Sequence, residues 1–187
     1  IASTSLDSTA TLTDEGRKKA KATAEELKSK NIKRIYCSPL LRNQQTAEIV
    51  ADVLGLSKSE IIFDVRIKEI GAGVFDGKPF SFTEYFQGLT DYHTPIEGGE
   101  SPAVVKRRIS EFLYEIDSKH AGENILIVSH GIFFETIDAI LDGLDDTRAL
   151  QKLKEMLGVY KPGMYREFEF TPLPHNAGYE LDLHRPY

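Results

Sequence analysis

Asn124-Ile125-Leu126-Ile127-Val128-Ser129-His130-Gly131 is four apolar residues in a row, three of them β-branched, closed by serine, histidine and glycine. A short unbroken apolar run of this kind predicts a strand covered on both faces, as in the middle of a parallel sheet. His130-Gly131 ends the strand, and a helix is expected from about Ile132 to Leu141. Upstream, Ser101-Pro102 gives a helix start, serine at the N-cap and proline in the first turn. Val105, Ile109, Phe112, Leu113 and Ile116 form its apolar stripe, and Gly122 stops it. Further upstream, Asn31 to Cys37 reads as a strand. Ser38-Pro39 then predicts a second helix, with Ala47, Val50, Ala51 and Leu54 at helical spacing and Gly55 at its end. Glu60 to Ile67 is the next expected strand, Glu69 to Lys78 a glycine-broken loop, and Ser81 to Leu89 a short helix. Near the start, Thr13 caps a helix with Asp14 and Glu15 in its first turn and Gly16, Ala20, Thr23, Ala24 and Leu27 on one side. Its lysines Lys18, Lys19, Lys21 and Lys28 fall on the other, solvated side. A helix over Asp146 to Leu157 and an alternating strand over Tyr165 to Phe170 complete the reading. This order predicts an α/β domain of three layers, a mostly parallel sheet with helices on both faces.

The composition fits a single globular domain: 187 residues, 41% hydrophobic and 28% charged, with a net charge of -6. That balance gives no bulk basicity, so no direct nucleic-acid site is expected. No run is long and apolar enough to span a bilayer and no signal peptide is evident, so a cytoplasmic chain without membrane contact is expected. The single cysteine, Cys37, cannot form an internal disulfide and is expected to be a packed thiol. His93, His120, His130, His175 and His184 show none of the close pair spacings of a zinc site, so neither metal nor cofactor is expected.

In open α/β sheets ligands bind beyond the carboxyl ends of the strands. Three polar signals fall there. Arg42 lies about one turn into the helix after Ser38-Pro39, where a helix N-terminus favours an anion and a guanidinium can hold phosphate with two bonds. His130 stands at the end of the apolar strand, followed by Gly131. Glu69 follows a strand inside the glycine-rich loop, where a carboxyl held protonated can act as a general acid. Singly, each has a plain alternative: a surface arginine, a satisfied buried histidine, an ordinary loop carboxylate.

The set is more specific than its members. Leu12-Thr13-x-x-Gly16, Ile35-Tyr36-Cys37-Ser38-Pro39-x-x-Arg42-x-x-x-Thr46-Ala47, Glu69 with Gly73 and Gly77, Gly98-Gly99-Glu100-Ser101 and Val128-Ser129-His130-Gly131 occur in this order. Together they resemble the histidine phosphatase (phosphoglycerate mutase-like) superfamily from about Leu12 to Leu141. The resemblance implies phosphoryl transfer through a phosphohistidine, acting on a small phosphorylated substrate. It makes Arg42 a phosphate clamp, His130 with Gly131 part of the phosphate site, and Glu69 the proton donor. It also implies an R-H-G motif carrying the nucleophile, at the end of a first central strand upstream of Leu12. Residues 1–11 hold no histidine. The chain is therefore expected to lack that strand, to leave a gap between two parallel strands, and to have no turnover alone.

Residues 1–170 are expected to form the phosphatase-like domain and 171–187 a tail. Leu181-Asp182-Leu183-His184-Arg185-Pro186-Tyr187 looks like a segment of isoleucyl-tRNA synthetases. With Ile1 in place of an initiator methionine, it suggests a domain of a larger synthetase, and hence a non-catalytic accessory role as one alternative to phosphatase. A phosphomutase is the other.

Overall fold

The structure is a computed structural model that describes residues 4, 5, 9–78, 82–155 and 159–168. Helix α1 (Asp14–Leu27) leads to strand β1 (Ile32–Cys37), helix α2 (Leu41–Leu54) and strand β2 (Ile61–Phe63). Helices α3 (Phe82–Gly88) and α4 (Pro102–Lys119), strand β3 (Asn124–Val128), and helices α5 (Gly131–Leu141) and α6 (Asp146–Glu155) follow. The sheet runs β2-β1-β3 and both pairings are parallel. Ile35 sits between Ile61 and Leu126, and Cys37 between Phe63 and Val128.

Alternation along the strands sorts the core into two layers. Ile35, Cys37, Leu126 and Val128 face α1 and α2, where Ala24, Leu27, Ala47, Val50 and Ala51 pack on them. Tyr36, Ile125 and Ile127 face the other way, toward Ile109, Phe112, Leu113 and Ile116 of α4 and Phe133 and Ile137 of α5. The three-layer α/β architecture read from the sequence is thus present. Phe112 is fully buried and meets Tyr36 edge-on at 5.4 Å between ring centres. Cutting such a ring back to alanine costs about 3–5 kcal/mol.

The caps of α1 and α4 follow the sequence. Thr13 accepts from the Gly16 N–H, and Ser101 from the Val104 N–H with Pro102 in the first turn. The start of α2 does not. Ser38 and Pro39 stand before the helix, and Leu40 occupies its cap without a side-chain bond. The Ser38 hydroxyl lies 2.8 Å from Nε2 of His130, which takes it away from capping. The strand expected over 60–67 shrinks to Ile61–Phe63. The cause is Asp64, whose carboxylate accepts the Arg66 N–H at 2.8 Å and turns the chain into a 3-10 turn over Val65–Ile67.

The expected gap inside the sheet is also corrected. β1 and β3 pair directly, so nothing is missing between them. The outer edges of β2 and β3 have no strand partner among the described residues, and the edge of β3 is the one along which the main cleft runs. Residues 165–168 are not a strand; Tyr165 and Phe168 pack onto the two core layers instead. Residues 169 and 170, the end of the expected late strand, lie outside the described residues, as do 156–158 at the end of α6 and the tail 171–187.

Candidate active site

The carboxyl ends of β1 and β3 lie side by side, and both turn into helices there. β1 delivers Ser38, then Arg42 as the second residue of α2. β3 delivers Ser129 and His130, and α5 begins at Gly131. The loop after β2 brings Glu69 to the same place. Arg42, Glu69, His130 and Gly131 all line one end of a cleft of about 1180 Å³, which runs on along the open edge of β3.

His130 is the hub. It is 7% exposed. Nη2 of Arg42 donates to its Nδ1 at 3.2 Å, and Oε2 of Glu69 lies 3.8 Å from the same nitrogen. A guanidinium can only donate, so Nδ1 carries a lone pair and the ring proton sits on Nε2, facing the Ser38 hydroxyl. Burial, then the positive charges of Arg42, Arg108 and Lys68, hold the imidazole neutral with its pKa well below the usual range. Asn43 tightens the frame, its Nδ2 donating to the Ser129 carbonyl at 2.8 Å, while the Ser129 hydroxyl donates to the Ile67 carbonyl. The buried Oδ1 of Asn43 has no hydrogen-bond partner among the described residues.

Glu69 is 7% exposed, and burial pushes its carboxyl up to about 7. The Ile70 N–H, which donates to its Oε1 at 2.9 Å, and the charges of Arg42 and Arg108 hold it from going higher. Its proton is thus held far more firmly than that of an ordinary glutamate.

Two further features were not legible in the sequence. Glu135, one turn into α5, is 5% exposed, and burial followed by the charge of Glu69 pushes it up to about 8. Its Oε1 comes within 3.8 Å of where a side chain on Gly131 would begin. The loop bearing Glu69 is also locked to the Gly-Gly-Glu-Ser turn. A Cβ on Gly73 would lie 2.1 Å from the Glu97 carbonyl, and one on Gly99 2.6 Å from the Gly71 carbonyl, so both positions require glycine. His93 stays outside, exposed and 2.7 Å from Asp146. His120 lies at the far end of α4, bonded to the Tyr36 hydroxyl. Cys37 is fully buried and its thiol is pushed up to about 12 by burial, as expected of a packed thiol. No group of three or more metal-ligating side chains occurs among the described residues, and no helix among them is long and apolar enough to cross a membrane.

An arginine, a buried histidine and a carboxyl raised by burial thus meet beside a helix N-terminus, a place that favours an anion, on an α/β scaffold. The chain belongs to the histidine phosphatase superfamily (branch 1), whose family profile matches residues 4–155. It is 32% identical over 141 residues to phosphoserine phosphatase 1 of Hydrogenobacter thermophilus, covering 72% of this chain and 65% of that protein. It is 35% identical over 140 residues to a probable phosphoglycerate mutase of Yersinia enterocolitica, covering 71% of this chain and 64% of the relative. The chain thus spans slightly less than two thirds of the length of these relatives. Among solved structures, a mycobacterial glucosyl-3-phosphoglycerate phosphatase bound to VO3 shares the fold with a TM-score of 0.64 at 24% identity, over 75% of this chain and 72% of that one. YhfR of Bacillus stearothermophilus matches with a TM-score of 0.63 at 28% identity, over 74% and 70%.

Proposed function

We propose that this chain carries the phosphate-binding and acid half of a phosphomonoesterase acting through a phosphohistidine. The observation that carries the reading is the meeting of Arg42 and Glu69 on one atom, Nδ1 of His130. A bound phosphate dianion would take over the Arg42 donor. Its charge would also favour the protonated imidazole that burial opposes, so His130 would become a second donor to it. The same charge would raise Glu69 further and keep its proton in place until needed.

In the first step a histidine nitrogen attacks phosphorus and the P–O bond to the substrate breaks. The leaving oxygen takes the proton of Glu69. In the second, water attacks the phosphohistidine, the Glu69 carboxylate accepts its proton, and phosphate leaves. We assign that role to none of the described histidines: His130 would stand beside a phosphate held by Arg42, His93 lies outside the cleft, and His120 lines it beyond the other end of β3, bonded to the Tyr36 hydroxyl. We place it on an R-H-G strand preceding this chain, added to the open edge of β3, since the cleft along that edge leads to Arg42 and His130. Relatives named as a phosphatase and as a probable mutase both match the chain, so either outcome of phosphoryl transfer fits the likeness. Hydrolysis is favoured here because only residues 89–101 separate α3 from α4, a short span to enclose a substrate against water.

The test is turnover of nitrophenyl phosphate and of an alkyl phosphate by the chain extended upstream through an R-H-G strand. The 187 residues alone should show none, and the extended chain should be active. Glu69→Gln should lower alkyl phosphate turnover about a hundredfold or more, and the nitrophenyl ester far less, since a good leaving group needs no proton. An inactive extended chain that binds phosphate would support the accessory-module reading. Turnover by the 187 residues, abolished by His130→Ala, would show that His130 is the nucleophile.

A further inference from the structure

The side chain that spends most hydrogen bonds on this site is one the mechanism does not use. Arg108, in the second turn of α4, points at the loop that carries Glu69. Its Nη1 donates to the carbonyls of Arg66 at 2.5 Å and Lys68 at 2.9 Å. Its Nη2 donates to the Glu69 carbonyl at 3.2 Å and to Oε2 of Glu100 at 3.2 Å, and its Nε to Oε1 of Glu100 at 3.1 Å. All five N–H groups of the guanidinium are thereby engaged. Glu100 completes the frame from the other side. Its Oε2 also accepts the Gly71 N–H at 2.8 Å and the Lys68 ammonium at 2.9 Å.

We propose that Arg108 is a positioning residue of this site, which together with Glu100 fixes the peptide frame of residues 66–71 from which Glu69 reaches His130. The inference rests on the reading of Glu69 as the proton donor. The geometry requires a fork: three carbonyls from one loop and a carboxylate from another converge on one planar group, which an ammonium cannot span. Those carbonyls belong to a loop without regular pairing of its own, so Arg108 and Glu100 supply bonds that a helix or sheet would otherwise give. The Glu69 carboxyl, bonded to its own neighbour's N–H at Ile70, follows wherever that backbone goes. The charges are matched as well. Arg108 and Lys68 face Glu100, so the frame brings one net positive charge close to Glu69. Within it the Arg108 charge holds Glu69 below where burial alone would put it, and the Glu100 charge opposes that pull.

The test is performed on the 187-residue chain by carboxyl and imidazole NMR, following Glu69 and His130 from pH 5 to 9 in the wild type, Arg108→Gln, Arg108→Lys and Glu100→Gln. Sulfate serves as the binding probe because its charge does not change over this range. In the wild type the His130 ring signals should shift as Glu69 titrates. Arg108→Gln should raise the Glu69 midpoint, erase that shift and weaken sulfate binding by about tenfold or more, as expected of a displaced group. Arg108→Lys keeps the cation and loses the fork. Positioning predicts that its Glu69 midpoint stays near the wild-type value while the His130 response is lost. Glu100→Gln should weaken the response with Arg108 still present, and it decides the matter should Arg108→Gln fail to fold. A His130 response unchanged in Arg108→Lys and Glu100→Gln would overturn the proposal. A wild type in which His130 does not sense Glu69 would instead overturn the acid reading on which it rests.

Discussion

Replacing Glu135 with glutamine should make the protein more stable, and only at alkaline pH. Glu135 is 5% exposed, and its carboxyl receives no hydrogen bond from the described residues. Glu69, from the loop after β2, lies near enough to oppose its ionisation, and Glu135 in turn raises the Tyr160 hydroxyl. α4 and α6 pack apolar side chains on α5, and the ion pair of Lys152 in α6 with Asp142 lies about two turns beyond Glu135, at the end of α5. Burial pushes this acid from an ordinary 4.5 up to about 8. The sign follows from which state binds the proton. Between those two values the folded chain holds a proton that the unfolded chain has released, so raising the pH favours unfolding. The penalty is absent below 4.5, grows by about 1.4 kcal/mol for each pH unit, and reaches about 5 kcal/mol by pH 8. Glutamine has the same shape and no proton to lose, but burying its amide costs about 1–3 kcal/mol. Glu135→Gln should therefore gain about 2–4 kcal/mol at pH 8 and be between neutral and about 2 kcal/mol less stable than wild type at pH 5. Urea unfolding at both pH values measures this directly. An equal difference at pH 5 and pH 8 would refute the argument, because it would mean that Glu135 does not change its proton on unfolding.

Arg42→Lys should weaken sulfate and phosphate binding by about tenfold or more, since a point charge replaces a planar fork; titration of the His130 ring signals reads it, and unchanged affinity would remove Arg42 from the clamp. Ser38→Ala leaves the His130 Nε2 proton buried without an acceptor and should cost about 1–3 kcal/mol in urea unfolding; a cost near zero would mean the ring proton has another partner. Gly99→Ala drives a Cβ to 2.6 Å from the Gly71 carbonyl, so it should loosen the Glu69 loop, and amide exchange of residues 69–73 as slow as in wild type would contradict the tight packing of the two turns.

How much of this was open to inspection in the sequence depends on the range over which each signal acts. The run from Asn124 to Gly131 places a strand, a histidine and a helix start by local rules, and all three are present. Thr13 and Ser101 cap where their spacing says. Ser38 fails as a cap because its hydroxyl is claimed by His130, 92 positions further on. Asp64 cuts β2 short because a side chain two residues from an N–H outbids the ladder. Arg42, Glu69 and His130 could be nominated because each stands at a strand end, and strand ends in such a sheet share one edge. The order β2-β1-β3 was not legible, and with it went the location of the open edge, which was expected inside the sheet and lies at β3.

The two side chains that most change the picture of the site were invisible for opposite reasons. Arg108 follows Lys106 and Arg107, and in the sequence these are three basic residues on a helix. Only the direction of α4 against the loop at 66–71 singles out one of them, and that direction is a property of the whole fold. Glu135 stands inside the apolar run Ile132-Phe133-Phe134-Glu135-Thr136-Ile137, where a single acid would normally find the solvated side. It does not, because α5 is enclosed on nearly every side: Ile132, Phe133, Thr136, Ile137, Asp138, Ala139 and Ile140 are all buried. A helix that starts beside His130 and has no wet face must bury whatever acid it carries in its first turns. The same enclosure lowers the local dielectric and raises Glu69, and under the proposed function it would strengthen the pull of Arg42 on an incoming phosphate and let Glu69 serve as an acid. The cost in stability at Glu135 and the reactivity of Glu69 thus have one physical origin, so a variant that wets this pocket should lower both.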